Sequence, residues 1–277
     1  MNMASIYKEL KEYGLLPKKR LGQHFLVDQN ILTKIVLTAQ IGKEDVVLEV
    51  GPGLGEMTHI LARHSKKVIA VEIDAKLVAV LREKFSNIAN VEIVRGDILK
   101  IDFEKFFEQE KGPIKVVANL PYQISTPLLF RFIESRNIFS TLTLMLQREV
   151  AERMAASPGG KEYGPLSVFV QSFSDLSIRF FVKPSAFVPP PRVESAVVHI
   201  YWKGEPAVSK EDEEWFRRVV KGSLGYRRKT LLNALKHSGL LLPGVEQIIE
   251  KIGMDPRRRP ETLSINEFVS LAKALRP

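Results

Sequence analysis

The chain has no cysteine among its 277 residues. Disulfides and thiolate metal sites are therefore excluded, and nothing points to an oxidising compartment. It also lacks an apolar run of the roughly 18 residues that read as a membrane helix. The stretch from Met1 to Pro17 is too charged for a secretory signal. Internal repeats and low-complexity tracts are missing as well. What remains is a chain that is 45% hydrophobic, enough for one large domain and a small one. The expectation is a soluble, cytoplasmic monomer with no metal and no membrane partner.

Net charge is +9, unevenly placed. Residues 1–36 hold six Lys/Arg against three Asp/Glu, and residues 203–277 hold 15 against 10. The middle, with 20 against 19, is nearly neutral. A basic excess at both ends suits a polyanion such as RNA, although on charge alone a merely soluble basic protein reads equally well.

The stretch VLEVGPGLGEMT (47–58) organises the rest. Val47, Leu48 and Val50 end a buried strand, Gly51, Gly53 and Gly55 turn the chain, and an amphipathic helix begins at Met57. Such a turn lets backbone approach a ligand at a helix N-terminus. A dinucleotide fingerprint needs glycine at position 56, which is Glu56 here. G-x-G-x-G with Glu49 two residues upstream resembles the first motif of S-adenosylmethionine-dependent methyltransferases.

Strands and helices then alternate: strands at 46–50, 68–73, 91–94, 116–118 and 141–146, with helices at 57–64, 75–85 and 126–134. This predicts a Rossmann-like, doubly wound, mostly parallel α/β sheet, with ligands beyond the strands' carboxyl ends. Those ends carry Glu49, then Glu72 (21 residues after Gly51), then Asp97, then Asn119-Leu120-Pro121-Tyr122. Glu72 is placed for ribose hydroxyls and Asp97 for an adenine amino group. Stretches 176–182 and 195–201 read as antiparallel strands finishing the sheet. Between them three prolines fix Phe187, either as core or as a wall on which a base stacks. The Gly/Pro-rich loop 157–165 is either a connector or a mobile lip. After a linker at 203–210, helices are predicted at 211–222, 229–238, 244–252 and 265–275. We therefore expect domains at 1–205, with 1–36 an extension over the cofactor site, and at 206–277. Basic clusters in the latter make Arg227, Arg228, Lys229, Arg257 and Arg258 candidate RNA contacts.

The Asn119–Tyr122 motif suits methylation of an exocyclic amine. That nitrogen is a poor nucleophile, so acceptors must hold its N–H groups and aim it. Asn119 Oδ1 and the Leu120 carbonyl supply acceptors, Pro121 restricts the backbone, and Tyr122 stacks on the base. The methyl donor is already cationic, so no strong base is needed. The target base must leave its stack.

LGQHFL (21–26), EVGPGLGEMT (49–58), VEID (71–74), GDIL (96–99), NLPYQISTP (119–127), FVPPPRVESAVV (187–198), RRKTLLNAL (227–235) and RPETLS (259–264) together resemble the bacterial small-subunit ribosomal RNA adenine dimethyltransferase family, of the class I methyltransferase fold. The resemblance implies transfer of four methyls from S-adenosylmethionine to two adjacent adenosines in the hairpin loop near the 3′ end of 16S rRNA, within the 30S subunit or its precursor. It also implies cofactor contacts from His24, Leu26, Gly51, Glu72, Asp97 and Asn119, with Gly53, Ile73 and Ile98 beside them. Asn119, Leu120, Pro121, Tyr122 and Phe187 become the catalytic set. His24 and Pro165 stand where members often have Asn and Arg. The alternatives are a 23S rRNA adenine methyltransferase, a non-catalytic ribosome assembly factor, and a DNA adenine methyltransferase. The last would need a larger sequence-reading domain.

Overall fold

A computed structural model describes residues 3–240 and 243–276. Its strands are β1 (Phe25–Leu26), β2 (Val46–Val50), β3 (Lys67–Glu72), β4 (Val91–Arg95), β5 (Ile114–Asn119), β6 (Phe139–Gln147), β7 (Ser174–Val182), β8 (Phe187–Val188) and β9 (Ser195–Trp202). Seven form one sheet in the order β4-β3-β2-β5-β6-β9-β7. The strands from β4 to β6 in that order are parallel, and β9 joins β6 antiparallel. All five residues of β2 are buried, as a central parallel strand covered on both faces requires. The order reverses at β2, whose neighbours are β3 and β5. That reversal opens a crevice beyond the strand ends. Val50 pairs with Ala118, so Gly51 follows the end of β2 next to Asn119, the last residue of β5.

Helices Gln29–Thr38 and Ala75–Lys84 start on Asp28 and Asp74, whose side chains accept from backbone N–H groups of the first turn. Helix Glu56–His64 instead starts on Gly55, at φ +86°. A Cβ there would lie 2.6 Å from the Phe85 ring, so packing, not ligand approach, demands this glycine. One core cluster joins helix Gln29–Thr38 (Leu32, Ile35, Val36) to Val47, Val68, Val117 and Val197 of the sheet. In the same unit an aromatic cluster stacks Phe103 on Phe132 with the Phe139 edge against both.

The small β1–β8 pair was not expected from sequence. It sets Leu26 opposite Phe187. Phe187 is 1% exposed and sits in the core cluster with Leu26 and Leu32. Of its two readings the core one holds, and a stacking wall does not.

The chain divides into two compact units, though not at residue 205. The first runs to Ala151 and includes Ser177–Tyr201. The second comprises Glu152–Leu176 and the chain from Trp202 onward. Residues 152–176 join the second because helix Pro165–Phe173 packs on helix Glu213–Leu224, with Phe169 edge-on to Phe216. Helices Leu231–His237, Val245–Lys251 and Ile265–Ala274 complete that unit.

Candidate active site

A cavity of about 220 Å³ opens in the first unit where the strand ends converge. Gly51 and Gly53 after β2, Glu72 and Ile73 at β3, Asp97 and Ile98 after β4, and Asn119 to Tyr122 after β5 line it together. Residues 20–25, including His24, supply an N-terminal wall. A smaller cavity of about 50 Å³ shares His24, Gly51, Gly53 and Asn119 and adds Leu26 and Glu49.

Glu72 is 5% exposed, and its Oε1 accepts from the Asp74 N–H at 2.7 Å. Burial pushes its carboxyl above the usual range. Asp97 Oδ1 accepts from the Leu99 N–H at 3.0 Å, which fixes the carboxylate at the cavity edge. Ile73, 49% exposed, and the buried Ile98 supply apolar walls.

Glu49 was read as a motif acid, but sequence gave no sign of its state. It is fully buried, and neither carboxylate oxygen makes a hydrogen bond. Burial pushes its carboxyl up to about 8; Thr58, alongside in a geometry short of a hydrogen bond, opposes this, and the Glu72 charge adds to it.

Asn119 donates from Nδ2 to the His24 carbonyl at 3.2 Å, leaving Oδ1 as the amide's acceptor end. His24 Nδ1 lies 2.7 Å from the Pro189 carbonyl, an oxygen that only accepts, so Nδ1 carries the proton. The His24 and Tyr122 rings stack with centroids 5.8 Å apart. Tyr122 Oη lies 2.7 Å from Ser195 Oγ, and Ser125 Oγ donates to the Tyr122 carbonyl at 3.0 Å. Both ends of the tyrosine are thereby held. Burial raises its phenol above the ordinary value, so it stays neutral.

A clamp that sequence reading missed fixes the N-terminal wall. Lys18 Nζ reaches both Asp74 oxygens at 2.7 and 2.6 Å, and Gln23 Nε2 reaches one at 3.3 Å. The Lys18 N–H donates to Gln23 Oε1 at 2.8 Å, closing the loop. Burial opposes the Asp74 charge, but Lys18, the Lys76 N–H and Gln23 outweigh it and hold the carboxyl below its ordinary value.

In the second unit the basic clusters separate. Arg227 Nε pairs with Glu261 at 2.6 Å and its Nη1 donates to the Lys161 carbonyl at 3.0 Å. Arg258 pairs with Glu267 and donates to the Thr262 carbonyl at 2.9 Å. Both are internal cross-links. Arg228, Lys229 and Arg257 are exposed. Loop 157–165 is pinned rather than free: the Gly159 N–H donates to the Glu261 carbonyl at 2.7 Å, and buried Tyr163 donates to the Leu263 carbonyl at 2.9 Å.

The model of the ribosomal RNA adenine dimethylase family matches residues 15–276. The chain is 48% identical over 266 residues to the ribosomal RNA small subunit methyltransferase A of Geobacter metallireducens, covering 95% of this chain and 96% of that one. It is 45% identical over 275 residues to the protein of the same name from Shouchella clausii, covering 96% and 92%. A dimethyladenosine transferase from Plasmodium falciparum superposes with a TM-score of 0.76 at 30% identity, over 90% of this chain and 96% of that one. The family match over nearly the whole chain and these identities agree, and the chain belongs to the ribosomal RNA adenine dimethylase family.

Proposed function

We propose that the protein transfers methyl groups from S-adenosylmethionine to N6 of two adjacent adenosines in the hairpin loop near the 3′ end of 16S rRNA, on the small ribosomal subunit or its precursor. The observation that carries this is the convergence of Glu72, Asp97 and Asn119–Tyr122, from consecutive parallel strand ends, on one cavity. The fold and family are those of an enzyme that methylates ribosomal RNA adenines, and the relatives in Geobacter and Shouchella carry small-subunit names.

The cavity's donor set fits the cofactor. Glu72 accepts from the ribose hydroxyls and Asp97 from the adenine amino group, while Ile73 and Ile98 flank the purine. His24, Gly51, Gly53 and Leu26 bound the methionine end, near the unpartnered carboxyl of Glu49. When bound, the cofactor supplies an electrophilic methyl on a positively charged sulfur.

The chain's task is then to present the nucleophile. Asn119 Oδ1 and the Leu120 carbonyl accept from the two N–H groups of the target amine and turn its lone pair toward the methyl. The hydrogen bond that Asn119 Nδ2 donates to the His24 carbonyl sets the amide before any base arrives. Tyr122, held through Ser195, stacks on the base. The proton lost from N6 passes to solvent, so no side chain has to act as a strong base. The stacking is assigned to Tyr122 without Phe187. Arg228, Lys229 and Arg257 contact RNA phosphate, whereas Arg227 and Arg258 brace the unit.

A solved structure of the 23S rRNA methyltransferase ErmE superposes with a TM-score of 0.68 at 25% identity, over 91% of this chain and 99% of that one, so large-subunit RNA is the competing substrate. Undermethylated 30S and 50S particles incubated with protein and labelled cofactor separate the two. Mass spectrometry is expected to find two N6,N6-dimethyladenosines in 16S rRNA. Methylation of 23S rRNA alone would overturn the assignment.

A further inference from the structure

At the far edge of the sheet, separated from β5 by β6 and β9, strand β7 carries a surface that methyl transfer does not explain. Alternation along the strand sets Arg179 and Phe181 on one side; Lys183 follows directly after the strand's last residue, and all three are exposed. Their neighbours Phe180 and Val182 turn to the core, with Lys34 over the Phe180 ring at 4.1 Å. Phe181 keeps 48% of its surface. The Arg148 guanidinium lies over its ring, 4.5 Å from the centroid.

This surface is joined to the active site. The Arg148 N–H donates to the Glu194 carbonyl at 2.9 Å, and its Nη1 pairs with the Glu194 carboxylate at 2.8 Å. The next residue, Ser195, holds the Tyr122 hydroxyl. Arg192 and Val193, just before, are exposed as well. Cations alone on an edge strand guard against unwanted strand pairing. They do not account for an exposed ring held under a guanidinium next to the residue that anchors Tyr122. Exposed aromatics interleaved with cations are what unpaired nucleic acid recognises, through base stacking and phosphate pairing.

We propose that Phe181, with Arg148, Arg179 and Lys183, forms a stacking platform for the unpaired RNA strand adjoining the target adenosine. The inference rests on the function proposed above and adds to it the surface that holds the flanking nucleotide. One base stacks on the open part of the Phe181 ring, and Arg179 and Lys183 meet the phosphates to either side.

The test uses the full-length protein and undermethylated 30S particles at saturating S-adenosylmethionine. Phe181→Ala is expected to raise KM for particles about tenfold. Its kcat should stay within about twofold and its calorimetric affinity for the cofactor should not change, since stacking acts on RNA capture. Phe181→Trp should restore KM, which a merely structural role would not do. Arg179→Glu with Lys183→Glu should flatten the dependence of log KM on log salt by about 1.4, at ~0.7 per cation for single strands. A photo-crosslinking phenylalanine at position 181 should label a 16S nucleotide next to the methylated pair. An unchanged KM for Phe181→Ala, or a crosslink to a ribosomal protein, would overturn the platform while leaving the methyltransferase reading intact. Failure of the wild-type protein to methylate 16S rRNA would overturn that reading, and the platform with it.

Discussion

The side-chain amide of Asn119 has one end engaged before any substrate arrives, because Nδ2 donates to the His24 carbonyl. Sequence showed the residue and its place at a strand end, but the partner that orients it lies in a distant segment. The same holds for Glu49, legible as a motif acid but not as a fully buried one. Its folded pKa of about 8 lies above the ordinary 4.5. Its favourable contribution is therefore complete below pH 4.5 and is lost as pH rises through 8. Glu49→Gln, neutral at every pH, should melt like wild type at about pH 4 and above it at about pH 9. The gap should open by at most about 1.4 kcal/mol per pH unit. Melting curves across that range check this, and a gap independent of pH would place the ionised carboxylate in a polar setting. Asp74 acts oppositely, its charged form being the one the folded chain favours. Asp74→Asn keeps the helix cap but loses the ion pair to Lys18 that fastens the cavity wall. Cofactor affinity should fall by about tenfold in calorimetry, with the fold retained; equal affinity would mean that the wall stays in place without the clamp.

At the scale of elements, each predicted strand and helix lies within two residues of the observed one. Periodicity and turn residues were strong there because the sheet and its helices are long enough to repeat a pattern. β1 and β8, at two residues each, have no period to read, and their pairing decided the place of Phe187. Loop 157–165 looked free because glycine and proline say nothing about partners. One of its anchors, the buried hydroxyl of Tyr163, is a hydrogen bond to Leu263. Tyr163→Phe should cost about 1 kcal/mol of stability in denaturant unfolding. An unchanged midpoint would show that packing and the bonds at Gly159 and Lys161 hold the loop without the hydroxyl. The exposed cations of the same unit, proposed to meet RNA, should behave differently. Arg228→Glu with Lys229→Glu should leave the melting temperature within a few degrees, yet weaken particle binding and flatten its salt dependence. Steep salt dependence in that variant would assign both residues to bulk solvent.

Across the whole molecule, the doubly wound, mostly parallel sheet and the four strand ends that carry the site were legible in the sequence, because each was marked by local residues in order along the chain; the strand order with its reversal at β2 was not. It did not disclose that residues 152–176 belong with the C-terminal helices, since that grouping depends on Phe169 meeting Phe216. Nor did it separate bracing arginines from exposed ones. The central claim is that one cavity holds the methyl donor while Asn119 aims the amine. It is tested most directly by counting labelled methyls delivered to undermethylated 30S particles by Asn119→Ala, alongside its calorimetric affinity for S-adenosylmethionine. The account predicts transfer reduced by about 100-fold or more with affinity within about threefold of wild type. Transfer at the wild-type rate would contradict it.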